Sequence, residues 1–322
     1  MSLVETTLRA HLPPLKVSLT GWHSMNCPMC VQNGQPRPDT RKRGAFKFDN
    51  GKVAYTCKNC HMVTGWHPGS RLGFKLSKLM RALGIDDDEI QRLKIQLWDQ
   101  LIEDDTVIVE PFKKPVWPAI EWPWTVRDLN LEAAEYLDGR GVLELSDWYT
   151  SASPMQGMDS RVILPYMSEG KIVGYTARWL GEVPDRKTPK MITSRPPSFV
   201  FNLDRQSHSR KYTIVTEGEY DALTLDGVAI MTNNISPEQA KIIEDIDNEP
   251  VVLPDRDQAG LNLAEQAAEL GWSVSFPEWP DGIKDANEAA QQFGRVAVLQ
   301  SVLTAIVSSP LKIKLLARRW CV

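Results

Sequence analysis

The sequence predicts a chain of several domains: a small β-rich module with four cysteines, a mixed α+β subdomain, and an α/β domain with a mostly parallel sheet. Three observations predict this order. Two Cys-x-x-Cys pairs lie within the first 60 residues, a stretch rich in proline and tryptophan occupies residues 104–125, and strand-like and helix-like segments alternate after residue 211. Such alternation is typical of a parallel sheet covered by helices. At 322 residues, 42% of them hydrophobic, the chain can form two or three compact cores.

The two cysteine pairs predict a zinc site. Cys27 and Cys30 form the first pair, and Cys57 and Cys60 form the second pair after a gap of 26 residues. Four thiolates on two facing turns bind Zn²⁺ tetrahedrally, and the β-hairpins between such turns need little core of their own. The usual gap is about 15 to 20 residues, so this module carries an insertion. We therefore predict a zinc ribbon in which these four cysteines hold one structural Zn²⁺.

Disulfide bonds are the alternative interpretation of the cysteines. Against them, the fifth cysteine, Cys321, is distant in sequence, and no signal peptide precedes the pairs, so a reducing cytoplasm is the expected location. His23, His61 and His67 lie near the pairs, but both pairs are complete with cysteine, which favours packing or supporting roles for the histidines. The chain has no apolar run of about 18 residues, so no membrane span is expected.

Three carboxylates follow predicted buried strands. The strand at 212–216 is followed by Glu217, and the strand at 250–253 is followed by Asp255 and Asp257. In an open α/β sheet, ligands collect outside the carboxyl ends of the strands, so these acids are expected to share one crevice. Clustered carboxylates repel one another, and a hard, partly hydrated cation such as Mg²⁺ would hold them together. The alternative is a solvated surface turn, because Asp-x-Asp alone is a common pattern.

Helix and strand signals surround these acids. The clearest is a helix start in which Ser236 is the expected N-cap, Pro237 is the first helical residue and Gln239 completes a capping box. Amphipathic helices are also expected near residues 72–83 and 86–101. The other predicted elements are a short helix after Glu217, a strand at 228–231, a helix at 259–270, a strand at 273–276 and a helix that begins at Asp285.

The segments EGEYDAL, PDRDQAG and KDANEAA resemble the TOPRIM domain of DnaG-type primases, especially the bacteriophage branch. The resemblance implies that Glu217, Asp255 and Asp257 are the ligands of a catalytic Mg²⁺ or Mn²⁺. Asp285 matches a lysine-aspartate segment of the phage branch, and a helix N-cap explains this residue equally well.

A second resemblance to the same primases precedes the acids. The segments RVILPY, GYTAR and TPKMITS follow the order of their basic polymerase subdomain. The resemblance implies that Arg161, Arg178 and Lys190 hold the template and the incoming nucleotides as part of the catalytic machinery. Arginine grips phosphate bidentately and lysine supplies a mobile point charge, so these residue types suit that role.

Charge is segregated along the chain, although the net charge is only −4. Residues 1–80 carry 12 basic and 3 acidic side chains, and residues 161–211 carry 10 and 4. Basic blocks attract phosphate backbones. Between the two cysteine pairs, Phe46, Phe48 and Tyr55 are interleaved with cations, a mixture that binds single-stranded nucleic acid; for the rings themselves, packing over the zinc site is the favoured interpretation. The cations predicted to contact nucleic acid here are Arg37, Arg41, Lys42, Arg43 and Lys47.

The patterns and the resemblance together predict a DNA primase that makes short RNA primers on single-stranded DNA from ribonucleoside triphosphates. The zinc ribbon would recognise the template start site, and two metal ions would assist nucleotidyl transfer. The alternatives are a TOPRIM nuclease or topoisomerase, a recombination mediator, and a non-catalytic DNA-binding adaptor. The sequence contains no Gly-x-x-x-x-Gly-Lys-Ser/Thr phosphate loop, so a replicative helicase is expected as a separate partner.

The predicted domain boundaries follow from these segments. They are a zinc-binding domain with a closing helix at 1–84, a helix and a Pro/Trp-rich acidic linker at 85–125, a basic subdomain of the polymerase at 126–210, the TOPRIM domain at 211–295, and a C-terminal tail at 296–322.

Overall fold

The computed structural model describes residues 1–13, 16–103, 115–122, 125–207 and 209–321. The chain forms two units. The first comprises Met1–Lys113 with Asp247–Glu249 and Ser308–Ile313, and the second comprises Lys114–Ile246, Pro250–Val307 and Lys314–Val322. An antiparallel sheet that carries the four cysteines belongs to the first unit, and a mixed, partly parallel sheet flanked by helices belongs to the second. The predicted combination of α+β and α/β architecture is therefore confirmed.

The first unit is an antiparallel sheet with three helices. Its strands pair in sequence order from the first to the fifth. The elements are α1 (Leu3–His11), β1 (Lys16–Val17), β2 (Trp22–Met25), β3 (Gly44–Asp49), β4 (Lys52–Cys57), β5 (Val63–Trp66), α2 (Phe74–Ala82) and α3 (Asp87–Glu103).

The core of the first unit lies against one face of this sheet. In the register of β3 and β4, Phe46 is opposite Tyr55, and both side chains are buried. Side chains alternate between the faces of a strand, so the core receives every second residue. The predicted amphipathic helix is α2, which buries Leu76 and Leu79 in the same core as Leu8 of α1.

The second unit contains two larger sheets and a small two-stranded one. Its elements before residue 211 are β6 (Val126–Arg127), α4 (Leu131–Gly139), β7 (Thr150–Ser151), β8 (Arg161–Ser168), β9 (Lys171–Trp179) and β10 (Met191–Ser194). Its later elements are β11 (Tyr212–Thr216), α5 (Glu219–Leu225), β12 (Val228–Ala229), α6 (Pro237–Glu244), β13 (Glu249–Val252), α7 (Gln258–Leu270), β14 (Ser273–Ser275), α8 (Ala286–Phe293), α9 (Arg295–Thr304), β15 (Ile306–Val307) and α10 (Pro310–Trp320).

Strands β8, β9 and β10 form an antiparallel sheet with β9 in the middle. Part of the predicted linker packs beside it. Trp117 is buried, donates a hydrogen bond to the Pro197 carbonyl at 3.2 Å and contacts the Phe199 ring edge to face. The Ile120 amide donates to the Ile172 carbonyl of β9 at 2.8 Å. Residues 115–122 are therefore anchored by their apolar side chains, whereas residues 104–114 and 123–124 of the predicted linker lie outside the described residues.

The other large sheet has the strand order β12-β11-β13-β14-β15. The pairs β11/β12 and β13/β14 are parallel, and β14/β15 is antiparallel. Helix α6 begins as predicted: Ser236 caps it, Pro237 is its first residue, and Gln239 completes the capping box. Local side-chain chemistry was sufficient to locate this helix start.

The segment after Phe293, for which the sequence leaves an interaction tail and a final core helix open, contributes mainly to the second unit, while Ser308–Ile313 belongs to the first. Helix α9 buries Val298 and Val302, and β15 adds a strand to the sheet by pairing with β14. Trp320 of α10 packs on Trp279, with ring centroids 5.7 Å apart. No helix in the described ranges has both the length and the apolar character that crossing a bilayer requires.

Candidate metal centres and their basic surroundings

The predicted acid cluster lies at the ends of two neighbouring strands. Glu217 directly follows β11, and Asp255 and Asp257 come shortly after β13. These strands are adjacent in the sheet, and the Leu253 amide donates to the Val215 carbonyl at 2.9 Å. The Asp255 backbone also hydrogen-bonds the Glu217 carboxylate. The three acids therefore follow neighbouring strands of one sheet, where the alternating strand and helix pattern predicts a ligand crevice. Their carboxylate oxygens do not all lie within the 4.8 Å that the four cysteine sulfurs share.

Burial and mutual repulsion disfavour ionisation of the two inner acids. Burial, reinforced by the charges of Glu217 and Asp285 and opposed by Lys284, raises the pKa of Asp255 to about 7. Burial also raises the pKa of Glu217, whose Oε1 is buried without a hydrogen-bond partner among the described residues. An unsatisfied buried carboxylate oxygen is costly, and a divalent cation would satisfy it and favour the ionised acids. This donor set therefore fits a hard cation.

Asp257 has a different environment. It caps α7, where its Oδ1 accepts hydrogen bonds from the Ala259 and Gly260 amides at 3.0 Å each. Its Oδ2 lies 2.9 Å from Nζ of Lys284. Burial alone would raise the pKa of Asp257, but the Lys284 contact and the two amides outweigh it and hold this pKa below its usual range. The contact with Asp257 in turn raises the pKa of Lys284. Asp257 is therefore the member of the cluster whose surroundings favour ionisation.

Close backbone packing holds the loop that carries Asp255. A Cβ at Gly260 would lie 2.0 Å from the Asp255 carbonyl oxygen, so only glycine allows α7 to start at this distance. The guanidinium of Arg256 turns away from the acids and donates to the carbonyls of Trp279 and Pro280 at 3.0 and 2.8 Å. Arg256 thus fixes the loop rather than contacting the carboxylates.

Two further acids lie within the cluster. Asp221, four residues after Glu217, has a pKa raised well above its usual range by burial and by the charges of Asp285 and Asp255. Asp285 caps α8 as predicted, by accepting a hydrogen bond from the Glu288 amide at 2.7 Å, and burial raises its pKa. Sequence analysis missed Asp221, although an acid one helical turn beyond Glu217 was a usable signal.

The four predicted zinc ligands converge in the first unit. The Sγ atoms of Cys27 and Cys60 are 3.8 Å apart, those of Cys30 and Cys57 are 3.7 Å apart, and all four lie within 4.8 Å of one another. A tetrahedral ion with Zn–S bonds of about 2.3 Å requires sulfurs about 3.8 Å apart. None of the four forms a disulfide. Within the described ranges, this is the group of potential ligands that meets at metal-binding distance, and it contains no histidine.

Amide groups point at the sulfurs. Nδ2 of Asn59 lies 3.2 Å from Sγ of Cys30, and Nδ2 of Asn33 lies 3.5 Å from Sγ of Cys60. Donors of this kind support thiolate ligands in the surroundings of a metal. Burial raises the pKa of Cys30 to about 11, so a nearby cation is needed to keep its thiol ionised at neutral pH. The donor set therefore fits one Zn²⁺.

The insertion between the cysteine pairs is organised by a buried carboxylate. Asp39 accepts hydrogen bonds from the amides of Cys27, Arg41 and Arg43 at 3.0, 2.9 and 2.7 Å, and from Nε of Arg43 at 3.1 Å. Although burial acts against it, these donors hold the pKa of Asp39 at about 2. Arg43 is thereby tied to the module. Of the other predicted cations, Arg37, Arg41 and Lys42 are exposed, and Lys47 is half-buried on β3.

The aromatic rings near the cysteine pairs pack inside the module. Phe46 and Tyr55 are buried with ring centroids 4.7 Å apart, and Phe48 stacks on Phe46 at 5.6 Å. His23 meets Phe48 edge to face at 5.3 Å, and the Arg9 guanidinium covers the Phe48 ring at 4.2 Å. The packing alternative is therefore the correct interpretation of these rings, and the exposed cations carry the anion-binding potential of this region.

The structure separates two of the cations predicted to hold nucleotides. In the register of β8 and β9, Arg161 pairs with Trp179 and Val162 pairs with Arg178. Because consecutive residues face opposite sides of a strand, Arg161 and Arg178 lie on opposite faces of the sheet. Arg178 is half-buried, and its guanidinium lies 5.4 Å from the ring of Tyr220 on α5, close in sequence to Glu217. Arg178 is therefore the arginine of this pair that contacts α5.

Arg161 is completely buried and its two terminal nitrogens donate to backbone carbonyls, whereas its Nε has no hydrogen-bond partner among the described residues. Its Nη1 donates to the carbonyls of Ala177 and Lys190 at 3.1 Å each, and its Nη2 donates to the Pro189 carbonyl at 2.6 Å. The side chain of Lys190 is exposed. In this arrangement Arg161 holds the loop that presents Lys190, and the side chain of Arg161 itself has no face open to solvent.

The chain matches no protein-family profile and no curated protein sequence. Its backbone is similar to solved primase structures. The DnaG catalytic core has a TM-score of 0.46 and 19% identity, over 58% of this chain and 77% of that chain. The DnaG primase catalytic domain bound to single-stranded DNA has a TM-score of 0.45 and 17% identity, over 58% and 76%. The E. coli primase catalytic core has a TM-score of 0.40 and 20% identity, over 59% and 66%.

The zinc site makes a prediction about metal content. We expect about one zinc per chain in the purified protein, because four convergent thiolates bind this ion tightly. Cys57→Ser should lose the zinc and lower the unfolding temperature, whereas Cys321→Ser, outside the cluster, should keep the zinc. Elemental analysis by mass spectrometry checks both variants. A Cys57→Ser protein with a full complement of zinc would contradict the assignment.

The raised pKa of Asp255 makes a prediction about stability. The pKa of Asp255 is about 7 in the folded protein and near 3.9 in the unfolded chain. When no divalent ion is bound, the contribution of Asp255 to the free energy of unfolding is therefore fully present at low pH and is lost as the pH rises through 7. In buffer freed of Mg²⁺ and Mn²⁺ by a chelating resin, with the zinc still bound, Asp255→Asn at pH 8 should therefore raise the free energy of unfolding by about 2 to 4 kcal/mol. Denaturant unfolding at pH 5 and pH 8 measures this. The exposed Asp281→Asn serves as control, and equal stability of Asp255→Asn and wild type at pH 8 would refute the electrostatic account.

Proposed function

We propose that this chain is a DNA primase, a DNA-directed RNA polymerase that synthesises short RNA primers on single-stranded DNA. The observation that carries the proposal is the acid cluster. Glu217, Asp255 and Asp257 follow adjacent strands, and Oε1 of Glu217 is buried without a hydrogen-bond partner among the described residues. The sequence segments around these acids resemble the TOPRIM domain of DnaG-type primases.

In this proposal Glu217, Asp255 and Asp257 hold catalytic Mg²⁺ or Mn²⁺. When bound, such ions lower the pKa of an attacking 3′-hydroxyl and neutralise charge on the α-phosphate as pyrophosphate leaves. Asp255, with a pKa of about 7, gives up its proton near neutral pH as a cation arrives. Asp257, already ionised by its contacts with Lys284 and the start of α7, supplies a fixed negative charge.

The basic residues bind and orient the anionic substrates. Arg178 would contact the triphosphate or the template, because it lies beside Tyr220 on the side of α5 and its Nε has no hydrogen-bond partner among the described residues. Lys190 would add a mobile charge from its exposed loop. Arg161 would act on this loop through the carbonyls of Pro189 and Lys190, and a direct phosphate contact by Arg161 would require these hydrogen bonds to break. Placement and charge, without a covalent intermediate, would then carry the catalysis.

The zinc module at 1–84 would recognise the template start site. Its exposed cations suit a phosphate backbone, and the segment at 85–125 would connect it to the polymerase. Residues 126–210 and 211–295 would form that polymerase, with residues 296–322 as its C-terminal extension. Single-stranded DNA and ribonucleoside triphosphates are the proposed substrates, a replicative helicase is the proposed partner, and the cytoplasm is the proposed location. The cations assigned to template contact are Arg37, Arg41, Lys42, Arg43 and Lys47.

A strand-cleaving TOPRIM enzyme is the main alternative, and such an enzyme needs an activated tyrosine. Tyr166 is buried and donates its hydroxyl to Oε1 of Glu219 at 2.6 Å, and burial raises its pKa. Tyr220 stands between the guanidinium groups of Arg178 and Arg140, at 5.4 and 5.8 Å from its ring, and burial raises its pKa as well. Neither hydroxyl is prepared as a nucleophile, which favours the polymerase.

The test is primer synthesis. The protein is incubated with single-stranded DNA, labelled ribonucleotides and Mg²⁺, and we expect short RNA products. Asp255→Ala should lower product formation by at least about 100-fold, because it removes a metal ligand, and should leave DNA binding unchanged. The exposed Asp281→Ala is the matched control and should retain synthesis.

The other outcomes separate the alternatives. Cut DNA without RNA would indicate a nuclease or topoisomerase, and DNA binding without either product would indicate an adaptor. Undiminished synthesis by Asp255→Ala would show that the acid cluster is not the catalytic centre.

A further inference from the structure

A cavity of about 620 Å³ opens beside the three-stranded sheet, in the second unit. It lies at Trp179, which faces the side of β9 opposite to Arg178, so it is separate from the face that Arg178 turns towards Tyr220. Its size is within the range of about 300 to 1,000 Å³ found for small-ligand pockets. The lining residues are Gln156, Gly157, Trp179, Lys187, Thr188, Pro189, Met191 and Ile192.

Trp179 provides a fixed aromatic surface in this cavity. The ring is half-buried, and the guanidinium carbon of Arg161 lies 5.0 Å from its centroid. Gly157 approaches so closely that a Cβ there would lie 2.4 Å from Cζ3 of Trp179. A ring held by such neighbours loses little conformational entropy when a flat ligand stacks on it.

The chain beside the ring adopts an unusual backbone. Gln156 and Gly157 have φ values of 56° and 65°, two successive left-handed residues. For Gln156 this conformation is costly, and such costs are often found at ligand-binding sites. The pair brings the backbone against Trp179 and leaves space on the side of Lys187 and Thr188.

The charge around the cavity is suited to an anion. Lys187 lines it, Arg186 and Lys190 are exposed on the same loop, and no carboxylate is among the lining residues. Two acids lie two residues from a lining residue in sequence: Asp159, which is exposed, and Asp185, whose Oδ1 accepts hydrogen bonds from the amides of Lys187 and Thr188 at 2.7 Å each. These hydrogen bonds set the turn that presents the Lys187 side chain.

We propose that this cavity binds a phosphorylated nucleobase unit, with the base stacked on Trp179 and the phosphate against Lys187. Aromatic stacking tolerates every base, and a lysine recognises phosphate as a point charge. The unit is either a free nucleotide or one nucleotide of a single strand, since both present the same base and phosphate. The site needs no divalent cation and is distinct from the acid cluster, so it goes beyond the proposed primer synthesis.

The test measures binding in buffer that a chelating resin has freed of Mg²⁺ and Mn²⁺, with no chelator in solution, so that a magnesium-dependent site is silent and the zinc site keeps its ion. Wild-type protein is titrated by calorimetry with ATP and with an oligodeoxythymidylate of eight nucleotides. Trp179→Leu should weaken binding of at least one probe about fivefold or more, the loss expected when a base loses its stacking partner. Trp179→Phe, which keeps a ring, should restore most of the affinity. Lys187→Ala should weaken the same probe about threefold and reduce the salt dependence.

Lys171→Ala, an exposed lysine on β9 outside the cavity, is the matched control and should bind like wild type. If Trp179→Leu weakens the binding of ATP alone, the ligand is a free nucleotide. If it weakens the binding of the oligonucleotide alone, the ligand is a nucleotide within a strand. If it weakens the binding of both probes, the cavity accepts both. If Trp179→Leu does not fold, Lys187→Ala compared with Lys171→Ala decides the question. The proposal is overturned if neither probe binds wild type, or if binding does not depend on Trp179 and Lys187 more than on Lys171.

Discussion

Repulsion between buried carboxylates is the constraint on which the rest of the second unit depends. The adjacent strands β11 and β13 are followed by Glu217 and Asp255, and the start of α5 and the cap of α8 add Asp221 and Asp285. Each of these four acids has a raised pKa, because burial and the neighbouring charges disfavour ionisation. Assembling these acids lowers the stability of the fold, and such a loss of stability is typical of functional sites.

The first unit also brings potential metal ligands together, but with sulfur atoms in place of carboxylate oxygens. Four sulfurs are gathered where Zn²⁺ would link them, and Asp39 uses its buried carboxylate to fix the cysteine loop and Arg43. The module has a core of its own around Phe46 and Tyr55. In the first unit the backbone positions the four sulfurs in advance, so a zinc ion would meet a prepared set of donors.

Sequence alone predicted the features that local chemistry determines. The capping box at Ser236, the cysteine pairs and the acids at strand ends each depend on a few neighbouring residues. It did not predict which face a residue occupies, because strand register depends on pairing partners far along the chain. For this reason the sequence did not show that Arg161 and Arg178 lie on opposite faces of one sheet. It also did not show that the tryptophans of residues 115–122 pack beside that sheet. Asp221 was missed because its neighbours suggested only a helix.

The central claim is that Glu217 and Asp255 hold a divalent cation together. Anomalous diffraction from crystals of the protein grown with MnCl₂ tests it most directly, since Mn²⁺ binds the same oxygen ligands as Mg²⁺ and scatters anomalously. The account predicts a peak within bonding distance of the Glu217 and Asp255 carboxylates, lost in crystals of Asp255→Asn. Well-ordered crystals with no peak at these side chains, and manganese only at exposed acids, would contradict it.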